Sequence, residues 1–159
     1  MWRNSLAGAL LTVMVLSSSV SAQESAKPQK SESGRESRTV AAVRAVIDAQ
    51  CEAWNRGDVA GYMDGYARSP NTVFVSGDEV TRGWQTVLDR YKKNYDSREK
   101  MGTLSFSVLE IRPMGTQTVI ALGSWRLRRA NDEPHGKFTL IFRKTKQGWR
   151  IVHDHTSSA

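Results

Sequence analysis

The stretch Gly148-Trp149-Arg150-Ile151-Val152-His153-Asp154-His155-Thr156-Ser157 carries the reading of the fold. From 148 to 156 apolar and polar residues alternate, which is the period of a β-strand. On an unbroken strand Trp149, Ile151, His153 and His155 share one face, and Arg150, Val152, Asp154 and Thr156 take the other. Residues 103–112, 117–129 and 137–144 show the same period, with turn signals at Pro113-Met114-Gly115, Asn131-Asp132-Glu133 and Gln147-Gly148 between them. The second half of the chain therefore reads as a four-stranded antiparallel meander.

Upstream the period lengthens to that of a helix. Val40, Val43, Ile47, Cys51 and Trp54 recur at steps of three and four, opposite Arg44, Asp48, Glu52 and Asn55, so an amphipathic helix is expected from about Thr39. Gly57 suits its stop. Asp58 suits the N-cap of a second, short helix carrying Val59, Tyr62, Met63 and Tyr66, and capping accounts for that aspartate without catalysis. Residues 72–76 form a short strand that turns at Gly77-Asp78 into residues 79–82. A third helix follows Gly83, with Trp84, Val87, Leu88, Tyr91 and Tyr95 on one side. Helices gathered ahead of a meander imply an α+β fold, not a parallel α/β sheet.

At the start of the chain Arg3 precedes an apolar run over residues 6–16, and Val20-Ser21-Ala22 fits the small-x-small rule of signal peptidase. Residues 1–22 are read as a signal peptide, the run being too short for a permanent span. No membrane attachment is expected after cleavage, and a secreted protein, in a bacterial periplasm, is. Residues 23–38 are polar and charged, and are expected to be a flexible leader to a single domain over 39–159.

The net charge of +7 is spread over several basic groups without a recognition motif, so nucleic-acid binding is not expected. Cys51 is the sole cysteine, which excludes an internal disulfide, and no base sits at a helical neighbour position to make it a nucleophile.

The order helix, helix, strand pair, helix, four long strands resembles the nuclear transport factor 2-like cone, in which a bent sheet wraps the first helix and leaves a pocket at its open end. Ala53-Trp54-Asn55-Arg56-Gly57-Asp58, Thr72-Val73-Phe74-Val75, Arg82-Gly83-Trp84 and the terminal segment quoted above resemble the SnoaL-like branch of that superfamily. The ending is also similar to that of the association domain of calcium/calmodulin-dependent protein kinase II. The resemblance implies the fold, and it spans isomerases, cyclases, dehydratases and domains without catalysis. In ketosteroid isomerases the general base is an aspartate near the end of the first strand, where this chain has Phe74, Val75 or Ser76. In the kinase domain an arginine facing the cavity follows the His-x-His, where this chain has Thr156.

Two sets of residues compete for the site. If the Asp154 face of the last strand lines the cone, Asp154 can act as acid or base, paired with Arg126 on a neighbouring strand or with Tyr62. Trp54, Tyr62, Trp84, Tyr91 and Thr156 would then line a pocket for a small apolar or aromatic molecule. If the histidine face lines it, His153 and His155 offer two imidazoles; with no third ligand evident, neither a metal nor any other cofactor is expected. The favoured reading places the histidines, with Trp149 and Ile151 as apolar centre, at a homodimer interface through the sheet. It makes the protein an exported small-molecule-binding domain; the alternative is a cofactor-independent acid-base enzyme, a cyclase, isomerase or dehydratase.

Overall fold

A computed structural model describes residues 29–159. The expected signal peptide and the first residues of the leader lie outside the described residues. The first helix, α1, runs Gln29–Asn55, ten residues longer at its start than the sequence suggests. Residues 31–38 are mostly exposed, so burial does not hold them. Once the packed part of a helix has met the cost of nucleation, each further residue adds a hydrogen bond, and Gln, Lys, Glu, Ser and Arg extend it without a core. The second half of the leader is therefore helix, not coil.

Val43, Ile47, Gln50, Ala53 and Trp54 form the buried stripe of α1. Gln50 replaces the expected Cys51 at its centre, and its side-chain amide donates to the Tyr62 carbonyl at 3.0 Å. Gly57 ends the helix at φ 87°. Asp58 caps α2, Val59–Met63, its carboxylate accepting the Gly61 N–H at 2.7 Å. The strands β1, Val73–Ser76, and β2, Glu79–Arg82, precede α3, Trp84–Asn94. A four-residue helix, α4, Arg98–Met101, comes before β3 and has no counterpart in the sequence reading.

The meander is β3, Thr103–Pro113; β4, Thr118–Arg128; β5, His135–Thr145; and β6, Gly148–Thr156. One sheet results, in the order β2-β1-β6-β5-β4-β3. All neighbours are antiparallel except β1 and β6, which makes the sheet mixed. Two register shifts bend it. One lies in β3 between Val108 and Glu110. The other lies in β6, where Ile141 opposes His153 but Phe142 opposes Ile151, leaving Val152 as the extra residue of a bulge. Gly123, opposite Val108, admits the bend, because a Cβ there would run into the Phe138 ring and the Ser107 carbonyl. The concave face closes over α1, α2 and α3, and Val43, Ile47, Met63, Tyr66, Val87, Val119, Phe142 and Ile151 fill the space between.

The bulge corrects the expected parity of β6. Trp149 and Ile151 face the core ahead of Val152, and Asp154 and Thr156 face inward after it. His153 and His155 go to the outer face. The set Trp149, Ile151, His153 and His155 is thus divided between the two faces, and the expected interface loses its apolar centre to the core.

Candidate functional site

A cavity of about 140 Å³ opens between the concave face and the helices. Asp154 lies at its floor, 4% exposed, aligned with Phe74 on β1 and Leu140 on β5. Two local features put it there. The Val152 bulge turns its side chain inward, and the segment after α2 pairs with β6 just before the bulge. In that pairing Ile151 donates to the Gly65 carbonyl at 2.9 Å, and Ala67 donates to the Ile151 carbonyl at 2.8 Å. Tyr66, between those two residues, is thereby held against β6, and its hydroxyl donates to Asp154 Oδ2 at 2.6 Å. Gly65 must lack a side chain, because a Cβ would collide with Gln50.

Aromatic rings build the walls. Trp54 and Tyr62 meet edge-on at 5.1 Å between centroids, Tyr62 lies 5.2 Å from Tyr91, and Tyr91 lies 5.6 Å from Phe74. All four tyrosines of the protein, Tyr62, Tyr66, Tyr91 and Tyr95, line this one space. Leu140 and Ile151 complete the floor, while Ser76, Arg90, Asn94, Thr156 and Ser158 are the more exposed lining residues and form its polar rim. Arg90 is an ion-pair partner of Glu79, and its guanidinium lies 5.3 Å from the centre of the Phe74 ring.

The electrostatics follow from burial, with no cation at depth among the described lining residues. Burial raises the Asp154 carboxyl to about 7, against the hydrogen bond from Tyr66, which favours the charged form. Burial, reinforced by the Asp154 charge, holds the Tyr62 and Tyr66 hydroxyls above their ordinary value; burial and then Tyr62 do the same for Tyr91. Asp154 Oδ1 is buried and has no hydrogen-bond partner among the described residues. Buried carboxyl oxygens are rarely left so, and this one belongs to a side chain that lines the cavity.

Of the residues named from the sequence, Asp154, Trp54, Tyr62, Tyr91 and Thr156 all line the cavity. Two do not. Trp84 packs outside it, its indole N–H donating to the Met63 carbonyl at 3.0 Å under the Arg68 guanidinium. Arg126 is the larger correction. Its side chain is 51% exposed and pairs with Glu133 at 3.2 Å on the outer face of the sheet. It aligns with His135, whereas Asp154 aligns through Leu140 with Ala121, five positions along β4. Opposite faces and a distant row keep the two apart.

The sequence places Tyr66 on the second helix without marking it as the partner of Asp154, and it does not mark Phe74, Gln50 or Arg90 as lining residues. The spacing of Tyr62 and Tyr66 was the available signal. The neighbouring Trp54-Asn55 and Gly57-Asp58 pairs serve structure. Asn55 exchanges two hydrogen bonds with the Leu104 backbone, at 2.7 and 2.9 Å. Trp54 donates to the Met101 carbonyl, and Arg98 donates to the Trp54 and Asn55 carbonyls at the end of α1.

Residues 43–159 match the family model described as a SnoaL-like domain. A nuclear transport factor 2-like protein of unknown function from Shewanella oneidensis is similar at 37% identity and TM-score 0.70, over 72% of this chain and 95% of that one. A ketosteroid isomerase-like protein from Erwinia carotovora atroseptica shares the fold at 16% identity and TM-score 0.61, over 75% of this chain and 95% of its own. So does a putative calcium/calmodulin-dependent protein kinase type II association domain from Thiobacillus denitrificans, at 19% identity and TM-score 0.62, over 73% and 94%. No curated protein matches the chain. By its family match, its bent mixed sheet and its N-terminal helices, the chain belongs to the SnoaL-like domain family of the nuclear transport factor 2-like superfamily.

Proposed function

We propose that this protein binds a small, largely apolar ring compound in the cavity above Asp154, with Asp154 and Tyr66 as the polar end of the site. The observation that carries this reading is the combination at the floor: a carboxyl with one oxygen buried and unpartnered among the described residues, on a side chain that lines a space walled by aromatic rings. A cavity near 150 Å³ lined by apolar groups takes up benzene, which sets the size class at about one ring. Native mass spectrometry of the purified protein, followed by extraction, tests it. A bound compound of that class released on denaturation is the expected result. Protein that stays free, and takes up no ring compound on titration, contradicts the reading.

The second reading is a cofactor-independent acid-base enzyme, and one observation favours it. A carboxyl at about 7 beside a donating phenol suits a general acid or base near neutral pH. Asp154 would move the proton, held in place by Tyr66, and Tyr62 would hold the oxygen on which charge develops. A compound recovered unchanged after long incubation supports binding alone; an isomer, cyclised product or dehydrated product supports the enzyme.

The same proposal places the protein outside the cytoplasm, on the strength of Arg3, the apolar run and Val20-Ser21-Ala22. N-terminal sequencing of the exported chain is expected to start at Gln23. It also includes a homodimer through the outer face of the sheet. With Trp149 and Ile151 in the core, the apolar centre would be the row Val73, His153, Ile141 and Ile120, beside Leu122, which is 38% exposed. Sedimentation at micromolar concentration is expected to give a dimer that Leu122→Glu weakens. A clean monomer removes this part of the proposal.

A further inference from the structure

Asp154 and Arg90 are the charged side chains among the residues lining the cavity, and they do not match one another. Arg90 is at the rim and already pairs with Glu79 from outside. Asp154 is at the floor, and its hydrogen-bond partner there is the neutral hydroxyl of Tyr66. An ionised Asp154 is therefore a buried negative charge with no balancing cation at depth among the described residues that line the cavity.

The surroundings favour one kind of balance. Trp54, Tyr62, Tyr66, Tyr91 and Phe74 place their rings around the same space, and aromatic faces attract cations through the ring quadrupole. The groups facing Asp154 from each packed element add no other cation at depth. From α1 come Gln50 and Trp54; from α2 and the segment after it, Tyr62 and Tyr66. From α3 come Tyr91 and, at the rim, Arg90, with Tyr95 at its C-cap; from β1, Phe74 and Ser76; from β3, Leu104 and Phe106; from β4, Trp125 and Leu127; from β5, Phe138 and Leu140; from β6, Ile151 and Thr156. The tyrosines are held neutral by burial.

We propose that the site takes a small protonated amine, its ammonium group hydrogen-bonded to Asp154 Oδ1 and enclosed by the tyrosine and tryptophan rings. This rests on the binding reading above and names its ligand class. A neutral hydroxyl would satisfy the orphan oxygen but leave the carboxylate charge desolvated. A carboxylate ligand would meet a like charge at the floor and find its only cation at the rim, already engaged. An ammonium supplies both the donor and the charge.

Calorimetric titration of the purified protein with benzylamine, benzyl alcohol and benzoate, which share one ring and differ in the head group, tests the proposal. At pH 8 benzylamine is expected to bind at least tenfold more tightly than either of the others. Its affinity is expected to fall as the pH is lowered through 7, where Asp154 takes up a proton. Asp154→Asn is expected to abolish the preference while benzyl alcohol still binds, and the pH series reads the same carboxylate without any substitution. Benzyl alcohol or benzoate binding as tightly as benzylamine overturns the amine assignment and leaves the binding reading standing; benzoate bound more tightly transfers the recognition to Arg90. A preference that survives Asp154→Asn also overturns it. Silence from all three probes removes the binding reading together with this inference.

Discussion

Two polar clusters sit within the same fold and are finished differently. At the end of α1, the side chains of Trp54, Asn55, Asp58 and Arg98 find backbone partners at 2.7 to 3.0 Å, tying the helix to α2, α4 and β3. At the floor of the cavity, Asp154 has one oxygen bound by Tyr66 and one without a partner among the described residues. A junction built for stability closes its hydrogen bonds, because each buried group left open costs about 1–3 kcal/mol. A group left unpartnered on a side chain that lines a cavity is kept at that cost for another reason, and ligand recognition is the reason proposed above.

The sharpest way to break the contrast is to neutralise Asp154. Its folded-state value is raised from 3.8 to about 7, so the folded protein holds a proton that the unfolded chain releases. Stability is then fully present below pH 4 and is lost as the pH rises through 7. Three units correspond to about 4 kcal/mol at most. Asp154→Asn is expected to be stabilising by up to that amount at pH 8 and close to neutral at pH 4, read by denaturant unfolding at the two values. A loss of stability at pH 8 would show that the carboxylate is matched and end the comparison.

The junction is expected to behave in the opposite sense. Asn55→Ala removes two bonds to the Leu104 backbone and is expected to destabilise by about 2 kcal/mol at either pH, with ligand binding unchanged. A mutant that kept its stability and lost binding would move Asn55 into the site. The smallest effect belongs to Asp58. Asp58→Ala should cost about 1 kcal/mol and Asp58→Asn a few tenths, since asparagine caps nearly as well. Thermal melts of the two variants check the order.

The same contrast marks what could be read from the sequence. Element type and order were legible because apolar spacing changes from helical to alternating at Gly102 and turn residues stand at each hairpin. The helix α4 was not, because four residues are too few for any period to show. Asp154, Trp54, Tyr62, Tyr91 and Thr156 were legible as candidates through residue type alone. The face of β6 was not, because Val152 interrupts the alternation without a glycine or proline to announce it. Arg126 misled for a related reason. Thr118-Val119-Ile120-Ala121-Leu122 is apolar on both faces, so nothing local tells which side of β4 is inward, and the row opposite Asp154 depends on pairings many residues away. Tyr66 gains its partner through a contact 88 residues apart in the chain, beyond the reach of any local pattern.

Asp154 is a buried carboxyl supported by one phenol and otherwise unmatched among the described residues. Carbon-13 NMR titration of its side-chain carboxyl, in the protein and in Tyr66→Phe, tests this most directly. The expected midpoint is near 7 in the protein and higher in the variant, because the Tyr66 hydrogen bond favours the charged form. A midpoint at the ordinary carboxyl value near 4, unmoved by Tyr66→Phe, would contradict it.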